Sequence, residues 1–425
     1  MNEQELINTR RDFHKYPESA WTEFRTSSLI AKKLESLGYR VRAGLEVIDI
    51  NSVMGRPSEE IITQNITRAL SQGADKSWLN KLNRYTGVIA ELDTGKPGHV
   101  IALRFDIDCV EVDEDSSTSH RPYNENFASV NSGCSHSCGH DAHMTIGLGV
   151  AEVLMAIRDD LRGRIKLIFQ PGEEGCRGAY AMTQAGAVDD VEYFLAFHIG
   201  MGLKSGIFAC DSKGYLATTK FDALLTGKPA HAAASPNEGR NALLAACQAA
   251  LGLHSIAPHS EGNMRINVGT LNAGTGRNVI ASQALMKIET RGETQAIADY
   301  VYSRSLEVLN GAAMMYGAEL NIIKAGESPE MKSSPELAKI VNEVVKGLNI
   351  FDSVQDLIHV GGSEDSAWFM NRVISHGGKA VYMGLGSDIK APHHNGKFDI
   401  DERVMINGVK ALVSIVKALN SLESV

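Results

Sequence analysis

Residues 99–108 read HVIALRFDID, an uninterrupted apolar run that ends in two aspartates. A short run of this kind, without polar alternation, is typical of a strand that is buried on both faces of a parallel sheet. Two similar runs follow, GRIKLIFQ at 163–170 and YFLAFHIG at 193–200, and a helical segment precedes each of them. This alternation of strands and helices predicts an α/β domain with a mostly parallel sheet.

The pattern of elements changes near residue 215. From there to residue 327 the order is strand, helix, strand, strand, helix, strand, which is typical of a ferredoxin-like α+β domain. The helix–strand alternation then resumes and ends in a C-terminal helix. We therefore expect a catalytic domain formed by 1–214 and 328–425, with a helical insertion at 45–85, that is interrupted by a smaller domain at 215–327.

The composition excludes several classes of protein. The 425 residues are 43% hydrophobic and 22% charged, with a net charge of −9 and no basic block, so nucleic acid is not an expected partner. No apolar run is long enough to span a bilayer, and the first residues lack the apolar core of a secretory signal. We expect a cytoplasmic protein whose six cysteines are free thiols.

Possible metal ligands stand where the predicted strands end. They are Asp106 and Asp108 in RFDID, Cys138 and the histidines of HSCGHDAH (136–143), Glu173 and Glu174 in FQPGEEG, His198 in AFHIG, and His393 and His394 in APHHNGKFD. In open α/β sheets the carboxyl ends of the strands meet at one edge, where sites form. Thiolate, imidazole and carboxylate groups in this number fit two ions that share ligands.

The adjacent pair Glu173–Glu174 suggests a division of roles. One carboxylate would bind metal, and the other would take a proton from a water molecule. Taken singly, each signal has a plainer explanation, because a lone histidine such as His198 is usually structural and a Glu-Glu-Gly sequence is usually a solvated turn. The spacing of His136 and His140 could suggest a helical zinc pair, but Gly139 and the missing glutamate argue against it.

The sequence resembles the amidohydrolase branch of the aminoacylase and glutamate-carboxypeptidase metallopeptidase family. The string CGHDAH carries this resemblance, together with RFDID, FQPGEEG and FHIG. It extends over nearly the whole chain and includes GKPAHAA, GRNVIA, GGSEDSAWF and HHNGKFDID. Within the branch, the insertion at 45–85 and the string HRPYNENFAS are similar to the p-aminobenzoyl-glutamate hydrolases.

The resemblance implies a role for each matching residue of the larger domain. The implied metal ligands are Cys138, His140, Glu174, His198 and His394, with His393 as the alternative to His394. Glu173 matches the general base of the family. Asp106 and Asp108 replace a His-x-Asp motif of other branches, and we expect them to orient the ligands. His136 and His143 would then be supporting residues, and Asp141 would cap the helix or orient a ligand.

The resemblance also assigns residues of the inserted domain, which it implies is a dimerisation or lid domain. His231 matches a histidine that reaches across the dimer interface to stabilise the oxyanion. Asn278 and Arg291 match positions on the substrate side. Arg291 either binds a substrate carboxylate as a bidentate pair or forms a surface salt bridge. Gly362 and Ser363 either line the substrate or form a structural turn.

The function implied is hydrolysis of the amide bond of an N-acyl amino acid, with p-aminobenzoyl-glutamate as the first candidate substrate. The alternatives are an aspartate conjugate of auxin type, an aminoacylase-like substrate and a non-catalytic partner subunit. Two divalent ions are expected; the resemblance suggests manganese, whereas the thiolate favours zinc. The dimer would pair two copies of this chain or this chain with a related subunit.

Overall fold

A computed structural model describes residues 1–422, which fall into two compact units. The larger unit contains Met1–Lys213, Met331–Val360 and the residues from Glu364 onward. The smaller unit contains Gly214–Glu330 and Gly361–Ser363.

The strands and helices alternate along most of the chain. The strands are β1 (Arg40–Ala43), β2 (Val88–Asp93), β3 (Val100–Asp106), β4 (Arg164–Gln170), β5 (Tyr193–Ile199), β6 (Ile207–Ala209), β7 (Ser212–Lys213), β8 (Ala217–Thr226), β9 (Met264–Ala273), β10 (Gln283–Gly292), β11 (Glu319–Ser328), β12 (Ser353–Gln355), β13 (Ile358–His359) and β14 (Lys379–Leu385). The helices are α1 (Glu3–Lys15), α2 (Phe24–Leu37), α3 (Glu59–Ser71), α4 (Lys76–Leu82), α5 (Arg121–Asn124), α6 (His140–Ala156), α7 (Ala179–Gln184), α8 (Ala242–Leu253), α9 (Gln295–Tyr316), α10 (Pro335–Leu348), α11 (Ala367–Ser375) and α12 (Val404–Asn420).

The main sheet of the larger unit has the strand order β1-β2-β4-β3-β5-β14-β6-β12. The central strands β4, β3, β5 and β14 are parallel, whereas β1 and β2 are antiparallel additions at one side and β6 pairs antiparallel with β14. All seven residues of β3 are buried, as expected for a strand that has neighbours on both sides and helices on both faces. The expected α/β fold with a mostly parallel central sheet is confirmed.

The smaller unit is a four-stranded antiparallel sheet with the order β11-β8-β10-β9. Two helices, α8 and α9, pack on one face of this sheet, where Ala284, Met286 and Ile288 of β10 are buried. The residues between them point to the opposite face, because successive side chains alternate along a strand. The element order β-α-β-β-α-β and this strand order are those of a ferredoxin-like fold.

The residues from 361 to 363 belong to the smaller unit, although the sequence analysis grouped them with the larger domain. The N–H of Leu216 donates to the carbonyl of Gly362 at 2.8 Å. The hydroxyl of Ser363 donates in turn to the carbonyl of Leu216 at 2.7 Å. These bonds attach the short segment to the start of β8.

The N-terminal region differs in detail from the helical periodicity at 4–38. It consists of two helices, α1 and α2, since the chain leaves the helical conformation at Tyr16 and Trp21 has a positive φ of 66°. The segment at 45–85 contains α3 and α4, each of which begins at a side-chain cap, Ser58 and Asp75 respectively. No helix within the described residues is long and apolar enough to cross a membrane.

Candidate metal centre

The four parallel strands of the main sheet end at one edge, and the predicted site residues lie there. Asp106 is the last residue of β3, and His198 is the residue before the end of β5. Glu173 and Glu174 follow β4 by three and four positions, and His394 lies in the loop after β14. The parallel register therefore brings together segments that are far apart in the chain.

Gly139 allows Cys138 and His140 to approach each other. Its φ is +90°, a left-handed conformation that glycine adopts without steric cost, and it is the N-cap of α6. A Cβ atom at this position would lie only 2.5 Å from Cγ2 of Ile199. The chain therefore turns sharply at Gly139, with the thiol just before the helix and the imidazole in its first turn.

The ring of His140 is fixed in one tautomer. Its Nδ1 donates to the carbonyl of Asp108 at 3.0 Å, which leaves a lone pair on Nε2. The Nε2 atom is buried, forms no hydrogen bond within residues 1–422, and lies 3.9 Å from Oε2 of Glu173 and 4.0 Å from Oε1 of Glu174. A ligand nitrogen held in this way is ready to bind a cation.

The ring of His198 is oriented in the same manner. Its Nδ1 donates to the carbonyl of Ile199 at 2.7 Å, and its Nε2 lies 3.4 Å from Sγ of Cys138. Burial, followed by the neighbouring rings of His143 and His393, lowers the pKa of His198 well below its usual range. The imidazole is therefore neutral at physiological pH, which is the form that binds metal.

The structure separates the two adjacent histidines of the late loop. His394, whose φ is +64°, has its backbone N–H bonded to the carbonyl of Ser137, and its Nε2 lies 3.4 Å from Oε1 of Glu174. His393 turns away, and its Nε2 donates to the carbonyl of Ile199 at 3.3 Å. Geometry thus brings His394 to the other candidate ligands and gives His393 a supporting contact.

Asp108 positions both glutamates. Its two carboxylate oxygens accept the backbone N–H groups of Glu173, at 3.1 Å, and Glu174, at 2.9 Å. Burial, and then the charges of Glu364 and Glu174, raise the pKa of Glu173 well above its usual range. Burial also acts to raise the pKa of Glu174, but the bond to His394 and the charge of His140 outweigh it and lower that pKa. The two adjacent carboxyl groups therefore differ in chemistry.

Asp106 and His143 form a support behind His140. The backbone N–H of Ile199 donates to Nε2 of His143 at 2.9 Å, so the proton of this ring is on Nδ1, which donates to Asp106 at 2.6 Å. Because both nitrogens of His143 are engaged, this residue has no lone pair for a metal. Asp106 lies 3.7 Å from Nε2 of His140.

Sequence reasoning missed a second buried charge group, which lies beside Glu173. Arg104 on β3 is fully buried and donates to Gln170, Asp106 and Glu364, at 2.7, 2.7 and 2.9 Å. Oxygens of Glu173, Glu364 and Asp365 all lie within 4.8 Å of one another. The string GGSED, which contains Glu364 and Asp365, was the available signal.

The donor set fits divalent metal ions. Three groups of potential ligand atoms each lie within 4.8 Å of one another, namely Cys138–His140–His198, Cys138–Glu174–His394 and His140–Glu173–Glu174. Nε2 of His140 and Oε1 of Glu174 are buried atoms without a hydrogen bond in the described chain, which is costly unless a cation or water satisfies them. Shared membership of Cys138, His140 and Glu174 suits two adjacent ions.

The predicted residues of the smaller unit lie at two ends of its sheet. His231 is exposed; its Nδ1 accepts the N–H of Ala234 at 3.0 Å, so the ring proton is on Nε2. Asn278 is adjacent, since its carbonyl accepts the N–H of Ala232 at 3.0 Å. Arg291 is near the opposite end, where it donates to Glu289 at 3.0 Å and to Ser363 at 3.4 Å.

The fold and this ligand arrangement are those of a metal-dependent hydrolase. The model of Peptidase family M20/M25/M40 matches residues 102–418, and the chain belongs to this family.

Two relatives are similar over nearly their whole length. The indole-3-acetyl-aspartic acid hydrolase of Enterobacter agglomerans is 49% identical over 418 residues, which cover 98% of this chain and 95% of the relative. A p-aminobenzoyl-glutamate hydrolase chain of Escherichia coli (strain K12) is 47% identical over 409 residues, or 96% and 94%. The crystal structure of the aminobenzoyl-glutamate utilization protein from Klebsiella pneumoniae superimposes with a TM-score of 0.84 at 42% identity, and covers 97% of this chain and 95% of that chain.

Proposed function

We propose that this protein is a two-metal amidohydrolase that releases an acidic amino acid from its N-acyl conjugate. The observation that carries this proposal is the cluster of Cys138, His140, Glu174, His198 and His394, whose buried nitrogen and oxygen atoms lack other partners. The relatives that hydrolyse p-aminobenzoyl-glutamate and indole-3-acetyl-aspartate support the reaction class. Manganese and zinc are both compatible with this mixed set of ligands.

Each residue near the cluster has a distinct part in the reaction. When bound, two divalent ions would polarise the amide carbonyl and lower the pKa of a water molecule. Glu173 takes a proton from the attacking water and passes it to the leaving amine, a role that suits a carboxyl group whose pKa burial has raised. Asp108 keeps Glu173 in place through its backbone N–H. His231 donates its Nε2 proton to the developing oxyanion.

The open face of the smaller sheet supports an acidic amino acid as the leaving group. Arg265 on β9 pairs directly with Arg291 on β10, and paired residues of antiparallel strands point to the same face. Like charges opposite each other are unfavourable, and Arg265 has no ion pair with a carboxylate in the part of the chain that is described. Two guanidinium groups match the two carboxylates of glutamate or aspartate.

The length of β10 supports a dimer in which the active sites are shared. His231 and Asn278 lie beyond the start of β10, whereas Arg291 is near its end, so about 26 Å of strand separates them. A single small substrate cannot contact both ends. We therefore assign His231 to the active site of a second copy or of a related subunit.

An exposed apolar face on α8 supports the same assembly. Leu243, Leu244 and Leu251 are exposed on this helix, and Leu251 has 71% of its surface accessible. The helix packs over β10 and β9, and β9 is an edge strand of the sheet. An apolar helix beside an unpaired strand edge suits pairing with a like surface.

A hydrolysis screen with metal control tests the proposed function. The purified protein is stripped with a chelator, and activity is measured before and after addition of manganese or zinc. The substrates are p-aminobenzoyl-glutamate, indole-3-acetyl-aspartate and N-acetyl-leucine. We expect hydrolysis of the two acidic conjugates only when metal is present. Full activity after verified metal removal, or no hydrolysis of any conjugate with metal, would contradict the proposal.

A further inference from the structure

A buried group of charges lies behind the candidate ligands. Its centre is Arg10 on α1, whose side chain is completely inaccessible to solvent. Nε of Arg10 donates to Asp141 at 2.6 Å. Nη1 of the same side chain donates to Asp399 at 3.1 Å and to Glu402 at 3.3 Å. One guanidinium group therefore joins the first turn of α6 to the segment that precedes α12.

Other residues complete this charge group. His14 contacts Asp141 at 2.7 Å and Glu114 at 2.9 Å. Arg121 donates to Asp399 at 2.6 Å and also to Glu402, to which Arg11 donates as well. Burial and the charge of Arg10 lower the pKa of His14, but the bonds to Asp141 and Glu114 raise it to about 9 overall. With His14 protonated, four cations balance four carboxylates.

A buried charge group of this size is not explained by stability alone. Removing charges from water costs about as much free energy as their attraction returns, so an apolar group of the same volume is often equally stable. What the charges provide is fixed geometry, because each donor and acceptor must meet in one arrangement. The segments that are fixed here carry candidate ligands: Asp141 follows His140 directly, and Asp399 lies five positions after His394.

We propose that Arg10 is a positioning residue for metal binding, which holds the segment of Cys138 and His140 in register with the segment of His394. It acts through Asp141 and Asp399 and does not contact the ligands. This inference rests on the proposed function, since it requires that the cluster bind metal. It also assigns a role to the N-terminal helix, which contributes no ligand itself.

The affinity of the metal-free protein for manganese tests this inference. The variants are Arg10→Met, Arg10→Lys and, as a control, Arg25→Met. Arg25 is also a buried arginine near the N-terminus, but it bonds to Asp12 and to the carbonyl of Gln72 rather than to a ligand segment. We expect Arg10→Met to bind manganese about 10–100-fold more weakly, as is usual when a support of a metal ligand is removed. Arg10→Lys should recover part of this loss, and Arg25→Met should keep the wild-type affinity.

Thermal unfolding of the metal-free variants separates positioning from general destabilisation. If Arg10→Met does not fold, Asp399→Asn removes the same link, and the same loss of affinity is expected. Unchanged affinity in the Arg10 or Asp399 variants, or an equal loss in Arg25→Met, would overturn the inference while leaving the proposed function intact. A wild-type protein that binds no manganese or zinc would instead reject the proposed function and, with it, this inference.

Discussion

The candidate metal centre and the open face of the smaller sheet differ in how their polar side chains are held. In the metal centre, His140 and His198 each have one nitrogen fixed by a carbonyl, and only the other nitrogen is free. On the smaller unit, His231 and Asn278 are exposed, and Arg265 has no carboxylate partner in the described chain. The first region is organised before anything binds, whereas the second is completed by substrate or by a partner.

This difference suggests separate roles for the two regions. A preorganised cluster binds metal tightly and performs the chemistry, since its groups need no rearrangement during the reaction. Exposed side chains contribute when a substrate or a partner copy binds, so they determine specificity and assembly. Changes in the metal centre should therefore abolish turnover, and changes on the smaller unit should alter selectivity or be corrected by mixing subunits.

The largest expected effect is loss of metal from the cluster. Cys138→Ser removes a buried thiol that belongs to two of the ligand groups. We expect metal affinity to fall by more than about 100-fold, because even a support of a ligand is worth 10–100-fold. Metal analysis after dialysis measures this. The control is Cys247→Ser, an exposed thiol on α8, which should retain metal. A Cys138→Ser protein with full metal content would remove the thiol from the centre.

The next effect tests whether two subunits share an active site. Glu173→Gln and His231→Gln should each be nearly inactive alone. In a one-to-one mixture of randomly paired subunits, half of the dimers are mixed and half of their sites are intact, so about a quarter of wild-type activity should return. A mixture of Glu173→Gln with Cys138→Ser is the control, because both changes affect the same site. No recovery in the first mixture would contradict the assignment of His231 to the partner.

A smaller effect is expected for the arginine pair. Arg265→Ala and Arg291→Ala should each lower kcat/KM for p-aminobenzoyl-glutamate by about 10–150-fold, the value of a lost charge-assisted hydrogen bond of roughly 1.5–3 kcal/mol. One of the two changes should matter much less for p-aminobenzoyl-glutamine, which lacks the second carboxylate. Lys287→Ala, on the same strand and face, is the control. Equal losses for both substrates in both variants would exclude recognition of two carboxylates.

The smallest effect concerns the buried charges behind the metal centre. The folded-state pKa of His14 is raised from 6.5 to about 9, so this residue contributes stability that is fully present below pH 6.5 and is lost as the pH rises through 9. The contribution amounts to at most about 3 kcal/mol at 1.36 kcal/mol per pKa unit. Unfolding of the metal-free protein between pH 6 and 10 measures it, by comparison with His14→Gln. Parallel pH profiles for the two proteins would show that His14 is not charged.

The sequence predicted those parts of the fold that depend on local pattern. The long buried strands β3, β4 and β5 follow from their apolar runs, because a run of seven residues carries a clear period. The short strands β6, β7, β12 and β13 have two or three residues, too few for any pattern, and exist only because they pair with distant neighbours.

The same limit applies to the candidate site. The ligand types and their places after strands are local features, so the cluster was predictable. The choice between His393 and His394 was not, because it depends on the positive φ of His394 and on the carbonyl of Ile199 that accepts from His393. The link between Arg10 and Asp399 joins residues at opposite ends of the chain, and nothing in either sequence neighbourhood indicates it.

The most direct test of a metal-dependent mechanism with Glu173 as base combines metal content and turnover on one sample. Wild-type protein and Glu173→Gln are loaded with manganese or zinc, and the ions bound per chain are counted beside the rate of p-aminobenzoyl-glutamate hydrolysis. The account predicts two ions per chain in both proteins and a rate about 10²–10⁴-fold lower in the variant. A variant that binds both ions and retains the wild-type rate would contradict it.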